Sequence, residues 1–364
     1  MIQSNFTGLV AQNGDSYYVQ KGKLVQGVDG LTNVNGTWYY LKNSILQKNY
    51  TGLVQNKSNK NWYYVQKGEL KWGVKTLVQY DGTWYYVNNS TVDWKFTGFC
   101  TYNKTDYYIQ NGTLKWGVNG LVNAGGNWYY VKNSALQKDY TGLAQNAANK
   151  NWYYVQKGEL KWGVKTLVQY QGTWYYVSNS TLDWKFTGIC TYNGTDYYIQ
   201  NGTLKWGVDG LTNVAGTWYY LKNSAVQKNY TGLVQNAANK NWYYVQKGKL
   251  IWGVKTLVQY QGTWYYVNNS TLDWNYTGLV QNLANENWYY VQKGTLKWGV
   301  RTLVQHNGNW YYVNNSTLDW SYTGLCEYNG TQYYIQKGRL KWGVNGQVKI
   351  NGKTYTLKNS AVVK

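Results

Sequence analysis

A pair of adjacent tyrosines recurs along the whole chain at a nearly constant interval. The step between pairs is 22 residues, or 24 residues where a longer loop such as residues 55–61 intervenes. Self-similarity at such a period is typical of repeat proteins, in which each unit packs mainly on its neighbours. A degenerate sixteenth copy is Tyr355-Thr356. The first tyrosines of the fifteen complete pairs are Tyr17, Tyr39, Tyr63, Tyr85, Tyr107, Tyr129, Tyr153, Tyr175, Tyr197, Tyr219, Tyr243, Tyr265, Tyr289, Tyr311 and Tyr333.

The repeats also group in fours, in blocks of about 90 residues. The Trp-Tyr-Tyr motifs at Tyr63, Tyr153 and Tyr243 lie 90 residues apart, which indicates duplication of a four-repeat block. No proline, linker or charge block interrupts the pattern. We therefore predict a single continuous repeat array over residues 1–364. Because the pattern is already present at Phe6, we expect the array to be part of a longer surface protein.

Each repeat has the pattern of a β-hairpin. Around Tyr85, two β-prone runs flank Asp81-Gly82, and this dipeptide is among the strongest short signals for a hairpin turn. A second turn follows at residues 88–90. Since one hairpin of this size is marginally stable, the units must stack. The sequence thus predicts an all-β fold, a β-solenoid of about sixteen stacked hairpins, with a length on the order of 150 Å at two strands of ~4.8 Å per repeat.

A two-residue turn determines which residues share a face of the hairpin. One face of the Tyr85 repeat is uniformly apolar or aromatic, and we predict that it is the core face: Val78, Tyr80, Tyr85 and Val87. The opposite face is predicted to be open: Leu77, Gln79, Trp84 and Tyr86. The three cysteines occupy the Val78 position of their repeats, so we expect buried thiols that form no disulfide with one another: Cys100, Cys190 and Cys326.

The composition argues against catalysis. The chain has one histidine, His306, at a position where sister repeats carry Tyr80 or Tyr170. Carboxylates such as Asp93 recur singly, one repeat apart, and are not paired as bond-cleaving carboxylates are. No nucleophile motif, phosphate-binding loop or Cys/His cluster occurs. We predict no enzymatic activity, no cofactor and no metal site.

The 22 tryptophans fall into two repeat positions, eleven directly before Tyr-Tyr and eleven after the second turn. On one interpretation they only pack hairpin against hairpin. On the other, their flat faces stack on sugar rings or attract cations, and repetition of weak sites gives avidity for a polymer. In that case the predicted platforms are Trp84, Tyr86, Trp94, Trp174, Tyr176, Trp184, Trp264, Tyr266, Trp274, Trp310, Tyr312 and Trp320, together with Trp72 and Trp162.

The charge of the chain is strongly positive, with a formal net charge of +21. Lysines surround Trp72 and Trp162, and they are either a solvated face that keeps a tyrosine-rich protein soluble or a basic stripe that faces an anionic polymer. Nucleic acid is a weaker candidate partner because no nucleic-acid-binding motif is present. The predicted basic stripe consists of Lys67, Lys71, Lys75, Lys157, Lys161 and Lys165.

Nearly the whole chain resembles a known family. The pattern Thr-Gly-Leu-Val-x-x-x-Gly-x-Trp-Tyr-Tyr-Val-x-x-(Gly or Ser)-x-Leu is similar to the cell-wall-binding repeats of Gram-positive surface proteins. These include choline-binding modules, the glucan-binding repeats of glucosyltransferases and the C-terminal repeats of clostridial toxins. The resemblance implies a β-solenoid on a secreted or surface protein that binds a wall polymer or glycan, such as teichoic acid or a glucan. We also predict no membrane span, because no apolar run approaches the roughly 18–20 residues that a membrane helix needs.

The chain also departs from the choline-binding pattern. Choline-binding repeats carry Trp after the Gly, where this chain has Leu53 or Phe99, and Asp106 and Asp196 replace the Trp before Tyr-Tyr. On the residues alone, a wall polymer or glycan is therefore favoured over choline. Two alternatives stay open: a structural stalk, adhesin shaft or fibre subunit without a small-molecule ligand, and toxin-like repeats that recognise host glycans.

Overall fold

The computed structural model describes residues 4–363, and all regular structure in this range is β-strand. The chain divides into two compact units, Met1–Trp184 and Lys185–Lys364. Each unit contains eight repeats, and each repeat consists of three antiparallel strands. The predicted all-β class and the stacked hairpin repeats are confirmed. The continuity of one array over residues 1–364 stays a prediction.

The first strand of each repeat has four or five residues. In the first unit these strands are Gly8–Gln12, Gly30–Val34, Gly52–Gln55, Thr76–Tyr80, Gly98–Tyr102, Gly120–Ala124, Gly142–Gln145 and Thr166–Tyr170. In the second unit they are Gly188–Tyr192, Gly210–Val214, Gly232–Gln235, Thr256–Tyr260, Gly278–Gln281, Thr302–His306, Gly324–Tyr328 and Gly346–Ile350.

The second strand has five or six residues and carries the Tyr-Tyr pair. In the first unit these strands are Asp15–Gln20, Thr37–Lys42, Trp62–Gln66, Thr83–Asn88, Thr105–Gln110, Asn127–Lys132, Trp152–Gln156 and Thr173–Ser178. In the second unit they are Thr195–Gln200, Thr217–Lys222, Trp242–Gln246, Thr263–Asn268, Trp288–Gln292, Asn309–Asn314, Thr331–Gln336 and Lys353–Lys358.

The third strand has only two residues. In the first unit these strands are Lys23–Leu24, Ile45–Leu46, Glu69–Leu70, Thr91–Val92, Thr113–Leu114, Ala135–Leu136, Glu159–Leu160 and Thr181–Leu182. In the second unit they are Thr203–Leu204, Ala225–Val226, Lys249–Leu250, Thr271–Leu272, Thr295–Leu296, Thr317–Leu318, Arg339–Leu340 and Ala361–Val362.

The first two strands form the predicted hairpin in the predicted register. In the repeat around Tyr85, Tyr80 is opposite Thr83 and Val78 is opposite Tyr85. Asp81 and Gly82 have φ angles of +47° and +74°. Positive φ at both central residues is the geometry of the type I′ turn, which matches the twist of the strands it joins.

The third strand joins neighbouring repeats. It pairs with the second strand of its own repeat, as Val87 does with Val92, and with the second strand of the preceding repeat, as Tyr63 does with Thr91. The amide of Tyr64 also donates to the carbonyl of Ser90 at 2.8 Å. The repeats of a unit are therefore linked by backbone hydrogen bonds as well as by side-chain packing.

Both faces of each hairpin are buried near its base, which corrects the face assignment. Val78 and Val87 pack against Leu53 of the preceding repeat, as predicted for the core face. The opposite face packs as well, because Leu77 and Tyr86 contact the next repeat. Since a hairpin in the interior of a unit lies between two others, neither of its faces is open at this level.

Exposure increases toward the hairpin turn. Tyr80, predicted to be in the core, is 39% exposed, and Tyr85 is half-buried. Tyr86, predicted to be open, is 1% exposed. The burial of a side chain thus depends more on its distance from the base of the hairpin than on which face of the strand it occupies. The two neighbouring repeats cover the base of the hairpin on both faces.

The cysteines lie in the core. Cys100, Cys190 and Cys326 are buried, as their repeat position predicts. Burial raises the pKa of the Cys100 and Cys326 thiols above its ordinary value, and neither thiol is in a disulfide. These cysteines act as small apolar residues of the core.

Gly112 is expected to be more sensitive to substitution than Gly82. The two glycines have similar positive φ angles, +70° for Gly112 and +74° for Gly82. A Cβ atom on Gly112 would lie 2.5 Å from the carbonyl oxygen of Asp93, whereas a Cβ on Gly82 meets nothing within 4 Å. We expect Gly82→Ala to cost about 1 kcal/mol from φ strain alone, and Gly112→Ala to cost about 2 kcal/mol more. Urea denaturation of the two variants measures the difference, and equal midpoints would contradict the contact.

Candidate functional site

Eleven tryptophans lie two residues beyond a third strand and are half-exposed. Their exposed fractions range from 48% to 57%, which is high for the largest apolar side chain. They are Trp72, Trp94, Trp116, Trp162, Trp184, Trp206, Trp252, Trp274, Trp298, Trp320 and Trp342. Of the predicted platform residues, Trp72, Trp94, Trp162, Trp184, Trp274 and Trp320 belong to this set.

Each of these tryptophans contacts the first tyrosine of the Tyr-Tyr pair in its own repeat. The ring centroids are 5.3–5.9 Å apart and the ring planes meet at 75–89°. This edge-to-face arrangement suits the opposite charges of ring edge and ring face. We call each such pair an aromatic corner, and Tyr85 with Trp94 is an example.

A small side chain faces the tyrosine of nearly every corner. The third strand of the next repeat supplies this residue, as Thr91 does opposite Tyr63. In ten corners the facing residue lies in the same unit, and nine of the ten have Thr or Ala there. The nine are Thr91, Thr113, Ala135, Thr181, Ala225, Thr271, Thr295, Thr317 and Ala361.

Repeats that lack the corner tryptophan have a longer side chain at the facing position. Ile45 faces Tyr17, and Glu69 and Glu159 face their tyrosines in the same way. Lys249 faces Tyr219, and its Nζ lies 5.4 Å from the centre of the tyrosine ring. Tryptophan and a small facing residue thus occur together, so space is kept free beside the tryptophan.

A tryptophan of the preceding repeat precedes each corner tryptophan at a nearly fixed distance along the chain. Every corner tryptophan follows a Trp-Tyr-Tyr tryptophan by 32 or 34 residues, as Trp94 follows Trp62. Where that earlier residue is Asp106, the later one is Lys138, and the two form an ion pair of 2.6 Å. This contact shows that side chains at the two positions reach each other.

At two joints an acidic residue and a lysine occupy the positions that hold two tryptophans elsewhere. The hydrogen bonds that Asp106 accepts from Lys138 and from Thr101 hold the pKa of its carboxyl below its usual value. Asp196 and Lys228 repeat the arrangement at 2.8 Å. The two tryptophan positions are therefore replaced together, by residues of opposite charge.

A cavity in the second unit shows that these positions share one groove. Its volume is about 570 Å³, and its lining includes Asp196, Lys228 and Lys249. These correspond to the Trp-Tyr-Tyr tryptophan, the corner tryptophan and the facing residue of a corner. At this joint, three positions from three consecutive repeats therefore line one groove.

The tryptophans directly before Tyr-Tyr are less exposed than the corner tryptophans. Trp84 packs on Tyr102 of the next repeat, and Trp310 packs on Tyr328 in the same way, with ring centroids 5.0 Å apart in both pairs. The half-buried predicted platforms are Trp84, Trp174, Trp264 and Trp310. Trp84 and Trp94 therefore have different aromatic partners and do not share one platform.

The expected exposure of the second tyrosine of each pair is wrong. Tyr86 is stacked on Phe96 with ring centroids 3.9 Å apart, and Tyr312 is stacked on Tyr322 at the same distance. The neighbouring repeat covers these rings, so they have no face left for a ligand. The predicted platform tyrosines that are buried are Tyr86, Tyr176, Tyr266 and Tyr312.

His306 takes the place of a tyrosine, as its repeat position predicts. Its ring lies 4.9 Å from the ring of Trp288, as the ring of Tyr80 lies 4.8 Å from that of Trp62. The histidine is thus a packing residue. Between residues 4 and 363, no group of three His, Cys, Asp or Glu side chains is placed to hold a metal ion.

The predicted basic stripe is exposed, but part of its charge is compensated. Lys71 forms an ion pair with Glu69 at 2.9 Å, and Lys161 forms one with Glu159 at 2.5 Å. All six lysines reach solvent: Lys67, Lys71, Lys75, Lys157, Lys161 and Lys165. A role for this stripe in binding stays a prediction.

Sequence reasoning missed two members of the corner. It assigned Tyr85 to the core and gave no role to Thr113, which faces Tyr85 across the ladder. The signal was present as covariation between repeats, since Thr or Ala occurs where the corner has tryptophan. It could not be interpreted without the third strand, which places residues 28 or 30 positions apart side by side.

The comparisons with known proteins agree with the repeat pattern. The choline-binding repeat family matches fifteen segments: residues 5–25, 27–47, 49–68, 73–93, 95–114, 117–137, 139–158, 163–183, 185–204, 207–227, 229–251, 253–273, 275–296, 300–319 and 321–341. No curated protein matches the chain.

Solved structures of pneumococcal proteins are also similar. CbpJ from Streptococcus pneumoniae TIGR4 is 21% identical over 86% of this chain and 100% of that chain, with a TM-score of 0.24. Choline binding protein F from Streptococcus pneumoniae is 20% identical over 79% of this chain and 99% of that chain, with a TM-score of 0.27. Because these superpositions are poor, the assignment rests on the repeat matches.

Members of this family are wall-binding modules of the cell surface. The described residues include no helix able to span a membrane. The repeat matches cover most of the chain, from residue 5 to residue 341. The chain belongs to the choline-binding repeat family.

Proposed function

We propose that this chain is a non-catalytic module that binds a choline-bearing, phosphate-linked cell-wall polymer through its aromatic corners. The observation that carries the proposal is the corner itself: a half-exposed tryptophan at nearly 90° to a tyrosine, beside a small residue. Such a corner presents ring faces to one point in space. That arrangement suits a compact cation such as trimethylammonium.

The expected strength of one corner is modest. A cation over an aromatic face contributes about 0.5–1 kcal/mol at an exposed site and about 2 kcal/mol or more when desolvated. Two or three aromatic walls thus correspond to a dissociation constant on the order of 1 mM. Because aromatic corners recur along the chain, a polymer with regularly spaced choline groups would bind much more tightly than free choline.

The net charge of the chain supports an anionic polymer as the partner. A charge of +21 attracts a phosphate-linked chain and speeds its association, although each choline group is itself a cation. Lys67, Lys75 and their counterparts lie exposed beside the corners. A teichoic acid that carries choline would satisfy both features, with its choline groups on aromatic rings and its phosphates near lysines.

A purely structural role explains the corners less well. A side chain whose only role is to pack one repeat against the next would be buried, as Tyr86 is, but Trp94 is 49% exposed. The small facing residues also leave space where a packing role would favour filling it. Half-exposed aromatic surface at regular intervals is typical of a binding surface.

The proposal is tested with purified cell walls and with choline. We expect the chain to sediment with walls that carry teichoic acid, to be released by millimolar choline, and to show saturable quenching of tryptophan fluorescence by choline. Walls stripped of teichoic acid should not retain it. Release by soluble glucan and not by choline would overturn choline recognition and favour a glycan, and retention by neither wall nor glucan would favour the shaft.

A further inference from the structure

One aromatic corner has its own cation. Arg339 faces Tyr311, at the position where nine other corners have Thr or Ala. Its guanidinium carbon lies 5.3 Å from the centre of the Tyr311 ring and 5.4 Å from the centre of the Trp320 ring. The arginine therefore occupies the point that an external cation would occupy in another corner.

The groove around this corner is basic. Its volume is about 450 Å³, and it is lined by Trp320, Gln336, Lys337, Arg339 and Lys341. Three of these five side chains carry a positive charge. In the part of the chain that the structure describes, no carboxylate forms an ion pair with any of the three.

Some equivalent grooves in other repeats hold an ion pair. At the positions that correspond to Arg339, Glu69 and Glu159 each neutralise a lysine two residues later. Near Lys249, Asp196 binds Lys228. The Trp320 groove combines an intact aromatic corner with uncompensated positive charge.

We propose that the Trp320 corner is an anion subsite that binds a phosphodiester, while the other corners bind cations. A guanidinium that stacks on aromatic rings keeps its N–H donors in its own plane, where they can reach two oxygens of one phosphate group. Lys337 and Lys341 add charge on the same groove. A second cation is excluded because the ring faces are occupied and the local charge is positive.

This inference rests on the proposed function for its biological partner, the phosphate backbone of the same polymer. If the Trp320 corner binds a phosphate and the other corners bind choline groups, one backbone phosphate of the polymer is placed at a defined repeat. The polymer would then be held through both of its chemical groups. The chemistry of the Trp320 groove can be tested without any polymer.

The two arginines of the chain allow a direct test by NMR on the full chain. With ¹⁵N-labelled arginine, the spectrum has two Nε signals, from Arg301 and Arg339. Arg301 is the matched control, because its Nε already donates to the hydroxyl of Tyr312 at 2.5 Å. We expect dimethyl phosphate, a phosphodiester, to shift the Arg339 signal with saturation and to leave the Arg301 signal unchanged. We expect inorganic phosphate to bind no more tightly than dimethyl phosphate.

Arg339→Thr should convert the Trp320 corner from an anion site into a cation site. Since Thr occupies this position in other repeats, the variant is expected to fold with an unchanged melting temperature. We expect it to bind dimethyl phosphate about tenfold more weakly, as loss of a charged hydrogen-bonding group predicts. We also expect equilibrium dialysis to show one more bound choline per chain. Lys341→Thr is the control, because it removes a charge without opening the corner and should add no choline site.

The inference would be overturned by no response of Arg339 to the diester, by equal responses of Arg339 and Arg301, or by an unchanged choline count in Arg339→Thr while the wild-type chain binds choline. A response to inorganic phosphate without the diester would also overturn it, since the polymer backbone is a diester. If the chain binds no choline at all, the proposed function fails, yet the Arg339 response still decides the anion subsite.

Discussion

Alanine in place of three corner tryptophans of the second unit is expected to weaken polymer binding by more than about a hundredfold. Trp252, Trp274 and Trp298 each contact one tyrosine in a corner and are about half-exposed. Loss of three linked sites lowers avidity far more than it lowers the affinity of any single site, and avidity gains of 10²–10⁴ are usual for linked sites. Sedimentation with purified walls measures the loss, and choline dialysis should show three fewer sites.

The same triple variant is expected to stay folded. About half of each tryptophan side chain is already in solvent, so each substitution should cost less than about 1 kcal/mol. The matched control is Leu283→Ala, which removes an apolar side chain that is 63% exposed and outside any corner. If the triple variant unfolds, or if it binds walls as the control does, the corner tryptophans are structural and the shaft hypothesis gains support.

Tyr86→Ala is expected to have the opposite effect, with a large loss of stability. Tyr86 is 1% exposed, is stacked on Phe96 and packs on Cys100 and Ile109 of the next repeat. Removal of a buried aromatic ring costs about 3–5 kcal/mol, because the cavity it leaves does not close. Trp94→Ala in the same repeat is the control and should cost less than about 1 kcal/mol.

Urea denaturation followed by circular dichroism compares the two variants. In a repeat protein the loss falls on one repeat and its two interfaces, so we expect a separate early transition in Tyr86→Ala. Equal shifts for Tyr86→Ala and Trp94→Ala would mean that the two aromatic positions pack alike. That result would contradict the division between buried rings and half-exposed rings.

The hairpins and their register followed from local chemistry. The Asp81-Gly82 turn, the pairing of Val78 with Tyr85 and the burial of Cys100 depend on residues within one repeat. Short-range turn geometry decides these features, so the sequence alone was sufficient to predict them. The period of 22 residues likewise determined that the units stack.

The site depended on contacts between repeats. Alternation along a strand predicts one buried face and one open face, and it assigned Tyr86 to the open face. The prediction was wrong because a hairpin between two neighbours is covered on both sides. Alternation describes a sheet with a single partner, and it does not describe a stack.

Local pattern therefore settled the β-hairpin repeat, its turns and the family to which it belongs. The packing of successive repeats settled which aromatic rings are buried, which tryptophan meets which tyrosine, and that Arg339 occupies the Trp320 corner. The third strand brings residues 28 or 30 positions apart side by side, as Tyr63 and Thr91 are. Such a juxtaposition is a property of the stack, and no stretch of one repeat contains it.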